Sequence, residues 1–378
     1  MENRKIRVAI TQGDTNGIGY ELIFKTFAEP EMLELCTPIV YGSPKVAAYH
    51  RNALNMQANF TIISNADEAK EDKLNIITAF DEEVKIDLGL ECAEGGKAAL
   101  AAVDRAIADF KDGLFDVLVL GPASENNIKP EGFNYPGNFE YIETCLGEGN
   151  KAIRVMATEQ VRMALATDGL PLRNVAAAIT TEQLSASIKA FHTALKRHFR
   201  ISSPRVAVLA LNPQTSNGGK EEQEIIAPTI DQLAAEGINA FGPYAVDDFF
   251  SNGDYYAFDG ILAMYHDQGV APLAALSADY MINFIAGMPV VVTAADMNPR
   301  FDIAGMGRAD ETSFRHAIYC AIDAFRNAID YDEPLANPLP KLYHEKRDDS
   351  EKVRFAIPKK HENAIKERQQ YLVLPCWW

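Results

Sequence analysis

The chain is poor in cysteine: Cys36, Cys92, Cys145, Cys320 and Cys376 are scattered through 378 residues with no CxxC spacing. That excludes a disulfide framework and a zinc knuckle, and it reads as reduced thiols in a cytoplasmic protein. There is no Lys/Arg-rich run, and the net charge is −17. Nucleic acid and anionic membranes are therefore poor partners. No apolar run approaches membrane-spanning length, and the one after Lys5 is too short for a signal peptide. The GxGxxG spacing is missing, so the dinucleotide fingerprint is absent. Tryptophan occurs only as Trp377 and Trp378, the last two residues.

What the chain does have is the mix of a globular protein, 24% charged and 47% hydrophobic residues. Its length suits two domains or one large one. Short apolar runs at Ile6–Thr11, Pro38–Tyr41, Asp116–Leu120, Val161–Thr167, Arg205–Leu211, Ile261–Met264 and Met288–Thr293 read as strands. Helical periodicity covers Pro44–Leu54, Gly95–Lys111, Thr181–His198, Glu221–Glu236 and Thr312–Ile329. Strands alternating with helices predict an α/β fold with a largely parallel sheet.

Several strands stop abruptly in Gly, Pro or Asn loops, the arrangement of a cleft built from many loops. The first, Gln12-Gly-Asp-Thr-Asn-Gly-Ile-Gly-Tyr-Glu21, suits either an approaching anion or tight packing. The most polar is Tyr265-His-Asp-Gln-Gly269. His266 is a candidate metal ligand or general base, with Asp267 beside it. His50, His192, His198, His316, His344 and His361 have no partner at metal-ligand spacing and read as surface or packing residues.

Seven motifs occur in one order: Thr11-Gln-Gly-Asp-Thr-Asn-Gly-Ile-Gly19; Gly121-Pro122; Pro136-Gly137 with Glu140; Leu165-Ala-Thr167 with Leu170-Pro-Leu-Arg173; Leu211-Asn-Pro213 with Gly218-Gly219; Met264-Tyr-His-Asp-Gln-Gly269; and Asp302-Ile-Ala-Gly-Met-Gly-Arg-Ala-Asp310. This order, over about residues 5 to 328, resembles the 4-hydroxythreonine-4-phosphate dehydrogenase family of pyridoxal phosphate biosynthesis. The resemblance implies an isocitrate/isopropylmalate dehydrogenase-like fold, NAD or NADP as cofactor, a divalent metal, and a homodimer. It further implies oxidation of a secondary alcohol followed by decarboxylation.

Carried over position by position, the family's three metal-binding histidines fall on Gly169, Gln214 and His266. Its substrate His-Thr pair falls on Asn138-Phe139, its lysine on Ala274, its arginine on Val292 and its asparagine on Asn283. Asp168 and Gln214 are the candidate replacement ligands beside His266. A neutral amide and one imidazole make a poor divalent site. Ala274 and Val292 leave the substrate's phosphate and carboxylate without cationic partners. The cofactor loop, with Asp302, Ile303, Gly305, Gly307 and Asp310, is intact and implies weak NAD or NADP binding.

The expected architecture is a first α/β domain (1–130 with 299–330), a second, dimerising one (131–298) and an appended arm (331–378). The arm ends either in an apolar hook around the tryptophans or in a frayed terminus. Two functions remain open. One is a divergent NAD(P)-linked dehydrogenase acting on a small hydroxy-acid-like substrate without the family's metal-dependent reaction. The other is a catalytically inactive homologue with a regulatory or binding role.

Overall fold

The computed structural model describes residues 4–80, 84–124, 126–127, 133, 135, 137–147, 152–213, 219–277 and 280–338. The described residues up to Leu335 belong to one compact unit. Nearly all of the expected arm, including both tryptophans, lies outside the described residues.

Among the described residues twelve strands form the sheet: β1 Ile6–Thr11, β2 Cys36–Gly42, β3 Phe60–Ile63, β4 Leu74–Thr78, β5 Val117–Leu120, β6 Ile153–Ala157, β7 Arg162–Leu165, β8 Val206–Leu209, β9 Ala240–Tyr244, β10 Gly260–Ala263, β11 Ile282–Ala286 and β12 Val291–Ala295. Their spatial order is β3-β4-β2-β1-β5-β12-β11-β6-β7-β10-β8-β9. Most neighbours run parallel, but β11 is antiparallel to both β12 and β6, and β6 is antiparallel to β7. The two outer portions therefore point in opposite directions, and the carboxyl ends of β5 and β7 face opposite ends of the sheet.

Alternate residues of each strand feed different core layers, as a sheet covered on both faces requires. Val8, Ile10, Val117 and Val119 pack on one face, with Phe24, Leu184 and Phe314 from helices Gly19–Thr26, Thr181–Arg197 and Thr312–Ala336. Ala9, Leu118 and Leu120 pack on the other, with Ala102 and Ala106 of helix Ala93–Lys111. Further along that second face Met163, Leu209 and Ile261 meet Leu273 of helix His266–Leu276.

Apolar runs and periodicity located most elements to within a few residues, with three informative differences. Strands β6, β9 and β11 escape the pattern. β6 carries Arg154 inside an otherwise apolar run, and β9 contains Gly242-Pro243. The helix expected over Glu221–Glu236 opens with a wide π-type turn, Glu221–Ile226, before Ala227–Ala235. The last helix continues past Ile329 to Ala336 through Pro334.

Candidate functional site

The glycine-rich turn after β1 is settled by packing. Every residue from Gln12 to Phe24 is buried. A Cβ on Gly13 would collide with the Pro122 carbonyl oxygen, while Gly17 lies against Pro299. Asp14 N donates to Pro122 O at 2.9 Å, and Asp14 Oδ2 accepts from Asn127 Nδ2 at 3.1 Å. Burial raises the Asp14 carboxyl above the usual range. The turn leaves an anion no open approach to its backbone amides.

Across the middle of the sheet, β6 and β11 hold the floor of the cleft. In their register Arg154 faces Ile285 and Met156 faces Asn283, so Arg154 and Asn283 project from one face. A cavity of about 750 Å³ spreads from Gly121-Pro122 past Asn138, Arg154 and Asn283 to Asp302. A second, about 380 Å³, is lined by Arg154, Asp168, Gly169, Tyr265, His266 and Asp267. A third, about 290 Å³, reaches Thr167 and Gln183. Arg154 and Phe139 line all three.

His266 opens the helix His266–Leu276 directly after β10. Its Nδ1 lies 3.0 Å from Asp267 Oδ1, and its side chain is 50% exposed. Gln268 anchors this turn. Its Oε1 accepts from Met264 N, and its Nε2 donates to Ala210 O, both at 2.7 Å. On the facing loop Thr167 Oγ1 donates to Met264 O at 2.7 Å, and Gln183 Nε2 bonds Ala166 O. These bonds tie the Ala166–Asp168 loop to the β10 loop, setting Asp168 and His266 around one cavity.

Arg154 is the residue that motif reading missed. Its Nε lies 3.2 Å from Asp168 Oδ2, an ion-pair distance, yet without the alignment of a hydrogen bond, so Nε is buried with no hydrogen-bond partner. Among the described residues its Nη2 donates to Met156 Sδ at 4.0 Å, and its guanidinium carbon lies 5.8 Å from the Phe139 ring centre. The structure places a guanidinium at the cavities although positions 274 and 292 carry no charge. Ala274 is exposed and Val292 buried, but β6 supplies a guanidinium from the sheet itself. The strand pattern that hides β6 also hides Arg154. An arginine breaking an apolar run was the available signal.

Among the described residues, the donors around His266 do not fit a divalent cation. Asp168 is held beside Arg154, a positive group that competes with a metal for its carboxylate. Gly169 has no side chain to offer, and Gln214 lies outside the described residues. Among the described residues no three His, Cys, Asp or Glu side chains are grouped to hold an ion.

The large cavity fits a polar ligand the size of a nucleotide better. Asn138 Oδ1 and Asn283 Oδ1 are buried there without partners, while Asn283 Nδ2 donates to Asp296 Oδ1 at 2.8 Å. Gly305 and Gly307 take φ values of 77° and 70°, left-handed geometry that bends the loop, with Leu88 packed against Gly305 and open space beside Gly307. The loop is clamped underneath. Lys25 Nζ donates to Gly307 O at 3.0 Å, and Ala309 N donates to Glu21 Oε1 at 2.7 Å. Asp302 pairs with Arg300, whose hydrogen bonds hold its carboxyl below the usual range. Ile303 packs on the core, and Asp310 Oδ1 accepts from Thr312 N at 2.9 Å, starting the last helix.

A sequence model of the family described as "Pyridoxal phosphate biosynthetic protein PdxA" matches residues 34–321. A 4-hydroxythreonine-4-phosphate dehydrogenase of Bacteroides thetaiotaomicron is 51% identical over 358 residues, covering 94% of this chain and 98% of that protein. One from Geobacter metallireducens is 34% identical, covering 86% of this chain and 97% of the relative. Among solved structures, the 4-hydroxythreonine-4-phosphate dehydrogenase of Klebsiella pneumoniae superposes with a TM-score of 0.73 at 28% identity, over 86% of this chain and 99% of its own.

Proposed function

This chain belongs to the PdxA family, and on that footing we propose that it is an NAD(P)-linked dehydrogenase of a small, anionic hydroxy acid. The observation that carries this reading is the pairing of His266 with Asp267 in a cavity that shares Arg154 and Phe139 with the larger cleft. The relatives' enzymatic name supports catalysis over a binding-only role and makes 4-hydroxythreonine 4-phosphate the first substrate to test.

Oxidising an alcohol removes the hydroxyl proton and a carbon-bound hydrogen with its electron pair. His266 is placed to accept the proton. With Nδ1–H donated to Asp267, Nε2 is the nitrogen left to accept it. The dinucleotide, when bound, takes the electron pair. Asp302, Ile303, Gly305, Gly307 and Asp310 would hold it, with Asn138 and Asn283 offering buried acceptors on the cleft floor. Phe139 lines the cleft beside the guanidinium. The proposal also includes a cytoplasmic homodimer and two domains, 1–130 with 299–330 and 131–298. These rest on the family resemblance.

The test is NAD(P) reduction by the purified protein, with 4-hydroxythreonine 4-phosphate and simpler hydroxy acids, with and without EDTA. Reduction should persist in chelator and fall roughly a hundredfold or more in a folded His266→Asn variant. No reduction with any substrate would sink the dehydrogenase reading in favour of a binding-only homologue. Activity abolished by EDTA and restored by a divalent ion would show that residues beyond those described complete a metal site.

A further inference from the structure

We infer that Arg154 is the fixed cation of this cleft, binding the substrate's oxyanion group, a carboxylate or phosphate, where its family would recruit other positive charge. This rests on the dehydrogenase reading for its meaning in catalysis, though the anion site itself does not. Four observations support it.

The guanidinium is the one group, with the Phe139 ring, that borders all three cavities. Arg154 and Arg300 are the only arginines or lysines lining them among the described residues, and Arg300 is already engaged by Asp302 at 2.8 and 2.9 Å. The hydrogen-bonding capacity of Arg154, by contrast, is largely unspent among the described residues, although Asp168 faces its charge at 3.2 Å. Nε has no hydrogen bond, and the contact of Nη2 is a thioether at 4.0 Å. A guanidinium offers five N–H donors in a planar fork, and a bidentate oxyanion is the ligand that fork matches.

The group is also held in place. It projects from the second residue of β6, paired with Ile285 of β11, the Phe139 ring lies 5.8 Å away, and Asp168 sits at 3.2 Å. Asp168 orients the fork and competes with an incoming anion for its charge, without an aligned hydrogen bond to Nε. A fixed guanidinium cannot lose its proton near neutral pH, so the site keeps its charge without a recruited ion. Arg154 thus selects substrates that carry an oxyanion group near the carbon to be oxidised.

The experiment follows binding, not turnover. Thermal unfolding of the full chain is measured with inorganic phosphate, and separately with malonate, against chloride at matched ionic strength. The parent should rise in Tm with one of them, and the more effective anion identifies the oxyanion. In Arg154→Met the affinity should fall roughly ten- to hundredfold, the worth of charge-assisted hydrogen bonds. Arg154→Lys should retain part of the shift, and Asp168→Asn should enlarge it by removing the competing carboxylate.

An undiminished shift in Arg154→Met, or no shift with either anion in the parent, would overturn the inference. Should Arg154→Met fail to fold, Asp168→Asn decides: an unchanged or smaller shift than the parent's refutes it. An Arg154-dependent shift in a protein that reduces no NAD(P) would leave the anion site standing and remove the dehydrogenase reading.

Discussion

Lys25 clamps the loop that would carry the dinucleotide, and its removal is a demanding test of that arrangement. Glu21 is 1% exposed, and its Oε1 accepts from both Lys25 Nζ, at 2.9 Å, and Ala309 N. Its Oε2 is buried without a partner, so the charge of this carboxylate rests on Lys25. The ammonium also donates to Gly307 O and Ala309 O, at 3.0 and 2.5 Å. Lys25→Met therefore strands a buried carboxylate and two carbonyls at once. Removing one partner of a fully buried pair costs about 3–5 kcal/mol. The Lys25 side chain is 24% exposed, so water recovers part of this and about 2–3 kcal/mol is expected. Urea unfolding gives the loss, and hydrogen exchange at the Ala309 amide should accelerate. Adding Glu21→Gln removes the stranded charge while keeping an acceptor for Ala309, and should restore about 1 kcal/mol. A loss under about 0.5 kcal/mol, or a double variant no more stable than Lys25→Met, would refute the reasoning.

Two glycines should respond differently to alanine. At Gly307, φ is +70° and a new Cβ meets nothing within 4 Å, so the change costs about 1 kcal/mol of backbone strain by chemical denaturation. At Gly13 the same strain is joined by a collision with Pro122, so Gly13→Ala should be far more destabilising; equal losses would show that the turn yields. His198 is buried between Phe284 and Ala324 O, and burial, with Arg197 beside it, pulls its pKa down to about 4. The unfolded chain takes up this proton near pH 6.5. The stability from neutral His198 is thus complete above that pH and is lost as pH falls toward 4, by at most about 3 kcal/mol. His198→Phe should flatten urea midpoints between pH 7 and 4, and an unchanged slope would contradict the assignment.

The local pattern was enough for much of this protein. Runs such as Val117–Leu120 and periodic stretches such as Thr181–Arg197 bury the same faces in isolation and in the fold, so their types were readable. The order of loop motifs likewise announced the family, and the turn Tyr265–Gly269 announced His266. Three things depended on residues distant in sequence. β11 and β6 complete each other's ladders, and neither is recognisable until the partner is in place. The Gln12–Glu21 turn resembles an anion cradle until Pro122 and Pro299, more than a hundred residues away, are seen to fill it. Arg154 is one interruption in an apolar stretch until pairing across the sheet sets it beside Asp168 and between the cavities. A side chain's identity is local, but the charge it faces is decided by the chain folded around it.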